Sequence, residues 1–143
     1  DDMAATHDFA LDQGTDWART LNCANSDGTP VDFGIGAYAK MQCRPFIGAT
    51  GSPLIEATCT VTPSTGTIKV EIAHADSSLV NVNTLDSGKI TENGTIYNGY
   101  ICYYDLEVTW GEGPSIDNVT RLIQGRICIN PEVTLSTEEH LIP

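Results

Sequence analysis

The chain has 143 residues, 41% of them hydrophobic, and a formal net charge of −12 from 19 acidic and 7 basic side chains. That length suits one domain whose core needs neither disulfides nor metal to be stable. So few Lys and Arg argue against a nucleic-acid surface or an anionic membrane surface, both of which require clustered bases.

Residues 1–7 show no periodicity and read as a flexible arm. DFALDQGTDWARTLNCA, residues 8–24, gives two short strands broken at Gln13-Gly14. In NSDGTP, residues 25–30, Asp27-Gly28 supplies a turn with positive φ and Pro30 restricts the backbone as the chain leaves that turn. VDFGIG is a short glycine-broken link. Residues 37–45 then alternate cleanly: Ala37, Ala39, Met41 and Cys43 point one way, and Tyr38, Lys40, Gln42 and Arg44 the other. This is the pattern of a half-buried antiparallel strand, and Pro45 ends it.

After a GATGSP loop, residues 54–62 form the next strand and PSTG turns the chain. Residues 67–73 point Ile68, Val70 and Ile72 inward. Residues 74–86 hold the one predicted helical turn, capped at Asp76 or Ser77. SGKITENGTIYNG, residues 87–99, reads as an exposed polar loop, with a small hairpin across Asn93-Gly94 as the alternative. YICYYDLEVTW, residues 100–110, is the clearest strand. GEGPSIDN is a hairpin loop, VTRLIQGRICINP (119–131) pairs back on that strand, and an extended tail occupies 135–143. About seven to nine strands with frequent turns predict a single all-β domain, residues 1–143, folded as an antiparallel sandwich.

The five cysteines are Cys23, Cys43, Cys59, Cys102 and Cys128, an odd number with no C-x-x-C pair. They fall in predicted strands at core-facing positions, where Cys behaves as a small hydrophobe. Reduced core thiols are expected, which points to a reducing cytoplasm.

Signatures of chemistry are sparse. His7, His74 and His140 have no metal-ligand spacing, and there is no G-x-S-x-G elbow. Asp105 and Glu107 share one face of a strand, an arrangement that solvent exposure explains more simply than acid–base work. Asp32, Asp86 and Asp117 lack the pattern of a calcium loop. Asn93 and Asn118 begin glycosylation sequons, relevant only in a secretory setting. Trp17 and Trp110 fit packing roles. The expectation is no catalytic residue, no metal and no cofactor. No window approaches the ~20 apolar residues of a membrane span. No leader is evident, although the chain starts at Asp, which leaves room for a removed segment.

Two of the seven basic residues sit in VTRLIQGRICINPEV, residues 119–133. If that strand is regular, Arg121 and Arg126 lie on opposite faces. Arg121 shares its face with Ile123, Gly125, Ile127 and Ile129. It is expected at the rim of the core, in a structural ion pair with Asp105 or Glu107 across the hairpin. Arg126 and Gln124 are expected to face outward as partner contacts, together with Arg44 and Tyr38.

Five segments, in order, carry a resemblance: DFALDQGTDW (8–17), DGTPVD (27–32), AKMQCRP (39–45), YDLEVTW (104–110) and VTRLIQGRICINPEVT (119–134). The ordered set resembles small structural proteins of tailed phages. It is similar in particular to the N-terminal β-sandwich domain of the baseplate upper protein of lactococcal siphophages. The resemblance implies an immunoglobulin-like sandwich and a non-enzymatic virion protein, assembled in the bacterial host cytoplasm. Such a protein docks on tail, baseplate or fibre components through protein–protein contacts and forms a homo-oligomer within the virion, with no nucleic-acid or membrane partner. The chain carries no long C-terminal fibre, which keeps a capsid cement or decoration protein as the alternative. A host-glycan-binding sandwich is a further alternative, with Tyr38, Tyr97, Tyr100 and Tyr103 as stacking aromatics.

Overall fold

The alternation visible between Tyr38 and Arg44 becomes an alternation of burial: Met41 and Cys43 are buried, Tyr38 and Lys40 exposed. The same conversion builds the rest of the chain in the computed structural model, which describes residues 4–111 and 118–133. Nine strands result: β1 (Ala5–Thr6), β2 (Phe9–Asp12), β3 (Trp17–Asn22), β4 (Tyr38–Arg44), β5 (Ile55–Thr62), β6 (Thr67–Ile72), β7 (Asp86–Glu92), β8 (Thr95–Trp110) and β9 (Asn118–Asn130).

The strands form one sheet in the order β1–β9–β8–β4–β5–β6–β3, with β2 also on β9 and β7 also on β8. The sheet curls into a half-barrel. Its corner is β5, which changes partner along its length: Ile55–Ala57 pair with β4, and Thr58–Thr62 with β6. The core lies inside the curl. Met41, Cys43, Cys102, Leu106, Val108, Ile127 and Ile129 pack there against Trp17, Ile68, Val70 and Ile72.

The fold is all-β, but its strands are not all antiparallel, because β1 and β2 run parallel to β9. Residues 1–7 are therefore not a free arm throughout. Ala5 and Thr6 pair with Ile123 and Gln124, and the His7 N–H donates to Gln124 O at 3.0 Å. Backbone hydrogen bonds hold this stretch, and both β1 side chains are exposed, so no hydrophobic pattern announces it. The expected tail at 135–143 lies outside the described residues, as does most of the 111–118 loop.

Residues 87–99 belong to a full hairpin rather than an exposed loop. Asp86–Glu92 pair with β8 across a two-residue turn, Asn93 (φ 50°) and Gly94 (φ 82°). Positive φ at both positions is the turn geometry that matches the twist of a hairpin. On the outside of the sheet, Ile90 meets Ile101 and Cys128 in a second small cluster, with Ala10 and Tyr103 packed against it. The short helix α1 (His74–Ser78) starts two residues before the expected cap at Asp76. Its first N–H, from His74, donates to Asp16 Oδ1 at 2.9 Å, so its end is satisfied from outside the segment. The five thiols are free: Cys43, Cys102 and Cys128 are buried, and Cys23 and Cys59 are half-buried. Cys23 lies just past β3 rather than within a strand.

Candidate functional site: the outer face of β4, β8 and β9

Strand register sets four rows side by side. Arg44, Tyr103 and Arg126 form one row, and Gln42, Asp105 and Gln124 the next. Lys40, Glu107 and Arg121 form the third, and Tyr38, Thr109 and Val119 the fourth. Residues directly opposite each other on neighbouring strands share a face. All four rows therefore look outward, while Met41, Leu106 and Ile123 look into the core.

One irregularity sets the face on which Arg121 lies. Leu106 is opposite Ile123, yet Glu107 is opposite Arg121, so Leu122 is an extra residue in β9. This is a β-bulge. Leu122 and Ile123 both pack against the core. Beyond them the alternation of β9 is reversed. Arg121 thus leaves the core rim where regular alternation placed it, and joins Arg126 on the outer face.

Arg121 Nε lies 3.2 Å from Asp105 Oδ2, and Arg121 Nη1 lies 3.5 Å from Gln124 Oε1. Both members of the ion pair are substantially exposed, so the pair contributes on the order of 1 kcal/mol or less. Among the described residues, no ion pair engages Lys40, Arg44 or Glu107.

Arg126 is held more firmly. Its Nη2 lies 2.8 Å from Asp8 Oδ2, and its backbone N–H donates to Asp8 Oδ1 at 2.9 Å. The hydrogen bond to Asp8 pushes the guanidinium pKa above its ordinary value. One carboxylate thus staples the segment between β1 and β2 to β9, and Arg126 is a structural residue as well as a surface one. Gly125 makes the approach possible, since a Cβ there would overlap His7 O. The Tyr104 hydroxyl donates to the same oxygen at 2.6 Å.

Arg44 donates from Nη1 to Gly51 O at 2.8 Å and from Nη2 to Gln42 Oε1 at 3.1 Å. It fastens the β4–β5 loop against the edge of the face. That loop carries Phe46 and Ile47, 60% and 84% exposed. Loop and sheet frame a cleft of about 630 Å³ whose lining includes Arg44, Phe46, Tyr103, Asp105, Arg121 and Arg126. At the opposite end of the face, Tyr38 and Val119 are 59% and 60% exposed.

Four of the chain's seven bases, Lys40, Arg44, Arg121 and Arg126, therefore share one surface with Asp8, Asp105, Glu107 and Glu56. The face is balanced in charge on a molecule of net charge −12. The face thus presents charges of both signs across its width and exposed apolar side chains at both ends.

The tyrosines do not assemble into one platform. Tyr38 sits at one end of the face and Tyr97 on the β7–β8 hairpin, while Tyr100 packs against the core and Tyr103 against the second cluster. Asp32 accepts from the Gly34 N–H, Asp86 lies in β7, and Asp117 is outside the described residues. Among the described residues, no three His, Cys, Asp or Glu side chains are grouped to hold a metal ion.

The contacts of two key residues, Glu92 and Gln13, are announced by no local sequence pattern. Glu92, at the end of β7, accepts from the Ala10 N–H at 2.9 Å and from Arg19 Nε at 3.0 Å. Gln13 is buried; its Nε2 donates to Ser77 O and Val80 O, and its Oε1 accepts from the Glu132 N–H. The Gln13-Gly14 pair was legible only as a break between strands. Neither a scan of protein-family models nor a search of curated proteins returns a match to the chain.

Proposed function

We propose that the chain is a non-enzymatic structural protein of a tailed-phage virion, an adaptor in the tail, baseplate or fibre attachment that docks through the outer face of β4, β8 and β9. The observation that carries the docking role is the concentration of four of seven bases, with exposed Phe46, Ile47, Tyr38 and Val119, on one face. The virion assignment is supported by the ordered motifs of the sequence. Their residues have defined work in this fold: Asp8 and Arg126 form the staple, Gly125 admits the N-terminal strand, and Gln13 ties the β2–β3 turn to the segment after α1.

The same reading takes the two layers as the sheets of an immunoglobulin-like sandwich. One layer is β9, β8 and β4; the other is β3, β6 and the end of β5. The extra parallel strands at the N-terminal margin are then an elaboration of that plan.

Quantitative mass spectrometry of purified particles, with antibody labelling in the electron microscope, tests the assignment. A few copies per particle, localised to the tail, are expected. Hundreds of copies on the head would replace the adaptor with a capsid decoration protein, and absence from particles would overturn the virion reading altogether.

A further inference from the structure

We infer that the outer face of β4, β8 and β9 pairs with the same face of a second copy of the chain, an inference that rests on its docking role. The charges on this face are sorted strand by strand. Glu56 on β5 is negative, and Lys40 and Arg44 on β4 are positive. Asp105 and Glu107 on β8 are negative, and Arg121 and Arg126 on β9 positive. Asp8, at the N-terminal margin beside β9, is negative again. The sign alternates at each step across the sheet, a step of about 4.8 Å.

Two such faces packed with their strands aligned and offset by one strand set each stripe over its opposite. A two-fold axis parallel to the strands, midway between β8 and β9, produces that offset for both copies at once. It carries β8 onto the second copy's β9, and β4 onto the second copy's N-terminal margin. The rows are preserved by this operation. Glu107 meets Arg121 of the second copy, Asp105 meets Gln124, Tyr103 meets Arg126, and Arg44 meets Asp8. The contact is isologous, so each pairing occurs twice. It also supplies partners for Glu107 and Arg44, two charges that no ion pair within the described chain engages.

Charge favours a second copy over other occupants. With four acids and four bases on this face, the remaining 15 acids and 3 bases leave the rest of the chain strongly negative. Two copies approaching through other surfaces bring like charges together. A strongly basic partner is drawn to the acidic remainder instead of the balanced face. Phe46 and Ile47 at one end, and Tyr38 and Val119 at the other, add the apolar area that exposed charge pairs lack.

Sedimentation velocity on the full chain tests the pairing. The wild-type protein is expected to sediment as a dimer at low salt and to dissociate at about 1 M salt, where the Debye length is about 3 Å. Glu107→Arg and Arg121→Glu are each expected to give monomers with unchanged far-UV circular dichroism. An equal mixture of the two variants restores a dimer, because each supplies the charge the other lacks, and the double variant restores it within one chain. Recovery on mixing excludes misfolding as the cause of the loss. A wild-type monomer over the accessible concentration range, or a dimer indifferent to both reversals, overturns the inference. Those outcomes leave the virion assignment standing if the protein is present in particles. A stable dimer absent from particles does the reverse.

Discussion

Arg19 and Glu92 are joined across the open side of the half-barrel, Nε to Oε2 at 3.0 Å, although 73 residues separate them in the chain. Glu92 is 6% exposed, and Arg19 lies over Trp17 with its Cζ 4.8 Å from the ring centroid. The Glu92 carboxylate also accepts the Ala10 N–H, and Ala10 O accepts from Trp17 Nε1 and Arg19 Nη2. Among the described residues, no strand pairs with β2 on this side. Side chains from β3 and β7 satisfy its backbone instead, and so bridge the edge that a complete barrel would close by strand pairing.

Burial raises the Glu92 pKa, but the hydrogen bonds from Arg19 and Ala10, together with the nearby charges of Arg19 and His7, outweigh it and bring the carboxyl below its ordinary 4.5. A group whose pKa is lowered by folding stabilises the fold above its unfolded value. That contribution fades as pH falls through the folded value. Glu92→Gln is therefore expected to lower stability by about 2 kcal/mol at neutral pH. Urea denaturation of variant and wild type should show that gap narrowing below pH 4.5. A gap that stays constant down to about pH 3 would show that the carboxylate charge contributes nothing.

Gly125→Ala tests the N-terminal strands. The new Cβ would overlap His7 O and stand 2.9 Å from its carbonyl carbon, both backbone atoms that cannot swing aside. The expected cost is about 2–3 kcal/mol, the range of a serious steric clash. Hydrogen exchange should quicken in residues 5–12 while β4 and β8 keep their protection. Uniform acceleration throughout the protein would mean that the N-terminal strands do not yield separately.

Asp8 and Arg126 are unequal partners in their ion pair. Asp8 also accepts the Arg126 backbone N–H, whereas Arg126 contributes its guanidinium. Asp8→Ala leaves both donors without their acceptor, and Arg126→Ala leaves the backbone bond in place. Asp8→Ala is expected to be the more destabilising by about 1 kcal/mol, the worth of one hydrogen bond. Chemical denaturation of both variants checks the ranking; equal costs would mean that the backbone bond adds nothing.

Thiol reactivity reports on the core. The Cys43 thiol is pushed well up by its contact with Cys102 and by burial, and burial takes Cys59 to about 11. Burial also raises Cys23 and Cys128. In the native protein at about pH 8, a disulfide reagent should modify Cys23 and Cys59 slowly. Cys43, Cys102 and Cys128 should stay silent until the chain is unfolded. Rapid native labelling of Cys43 would mean that the curl opens readily.

Local pattern made much of the fold legible. Residues 37–45 alternate because one side of β4 faces the core, and Asn93-Gly94 marks a turn because both positions need positive φ. Pairings between distant segments leave no such trace. The parallel contact of β2 with β9 is invisible in either strand alone, and Ala5–Thr6 is too short to show a period. Strict alternation along β4 and β9 places Arg44, Gln124 and Arg126 outward, where the register has them. The same alternation misplaces Arg121, because a single bulge residue, Leu122, resets the parity and bulges have no fixed sequence mark. Glu92 stayed hidden because an acid beside a polar turn looks like any solvated one. Only the folded chain brings Arg19 and Ala10 to it.

The parallel pairing at the N-terminal margin also orders events in time. Asp8 and Arg126 are 118 residues apart, so β1 and β2 meet β9 only when nearly all of the described chain exists. Contacts of such long sequence separation form slowly, because closing the loop between them costs entropy before any contact offsets it. Until then Phe9 and Leu11, both buried in the finished protein, lack the strand that holds them against the core. Docking of the N-terminal strands thus waits for β9, which leaves them open to capture by a chaperone or by a neighbouring chain during synthesis.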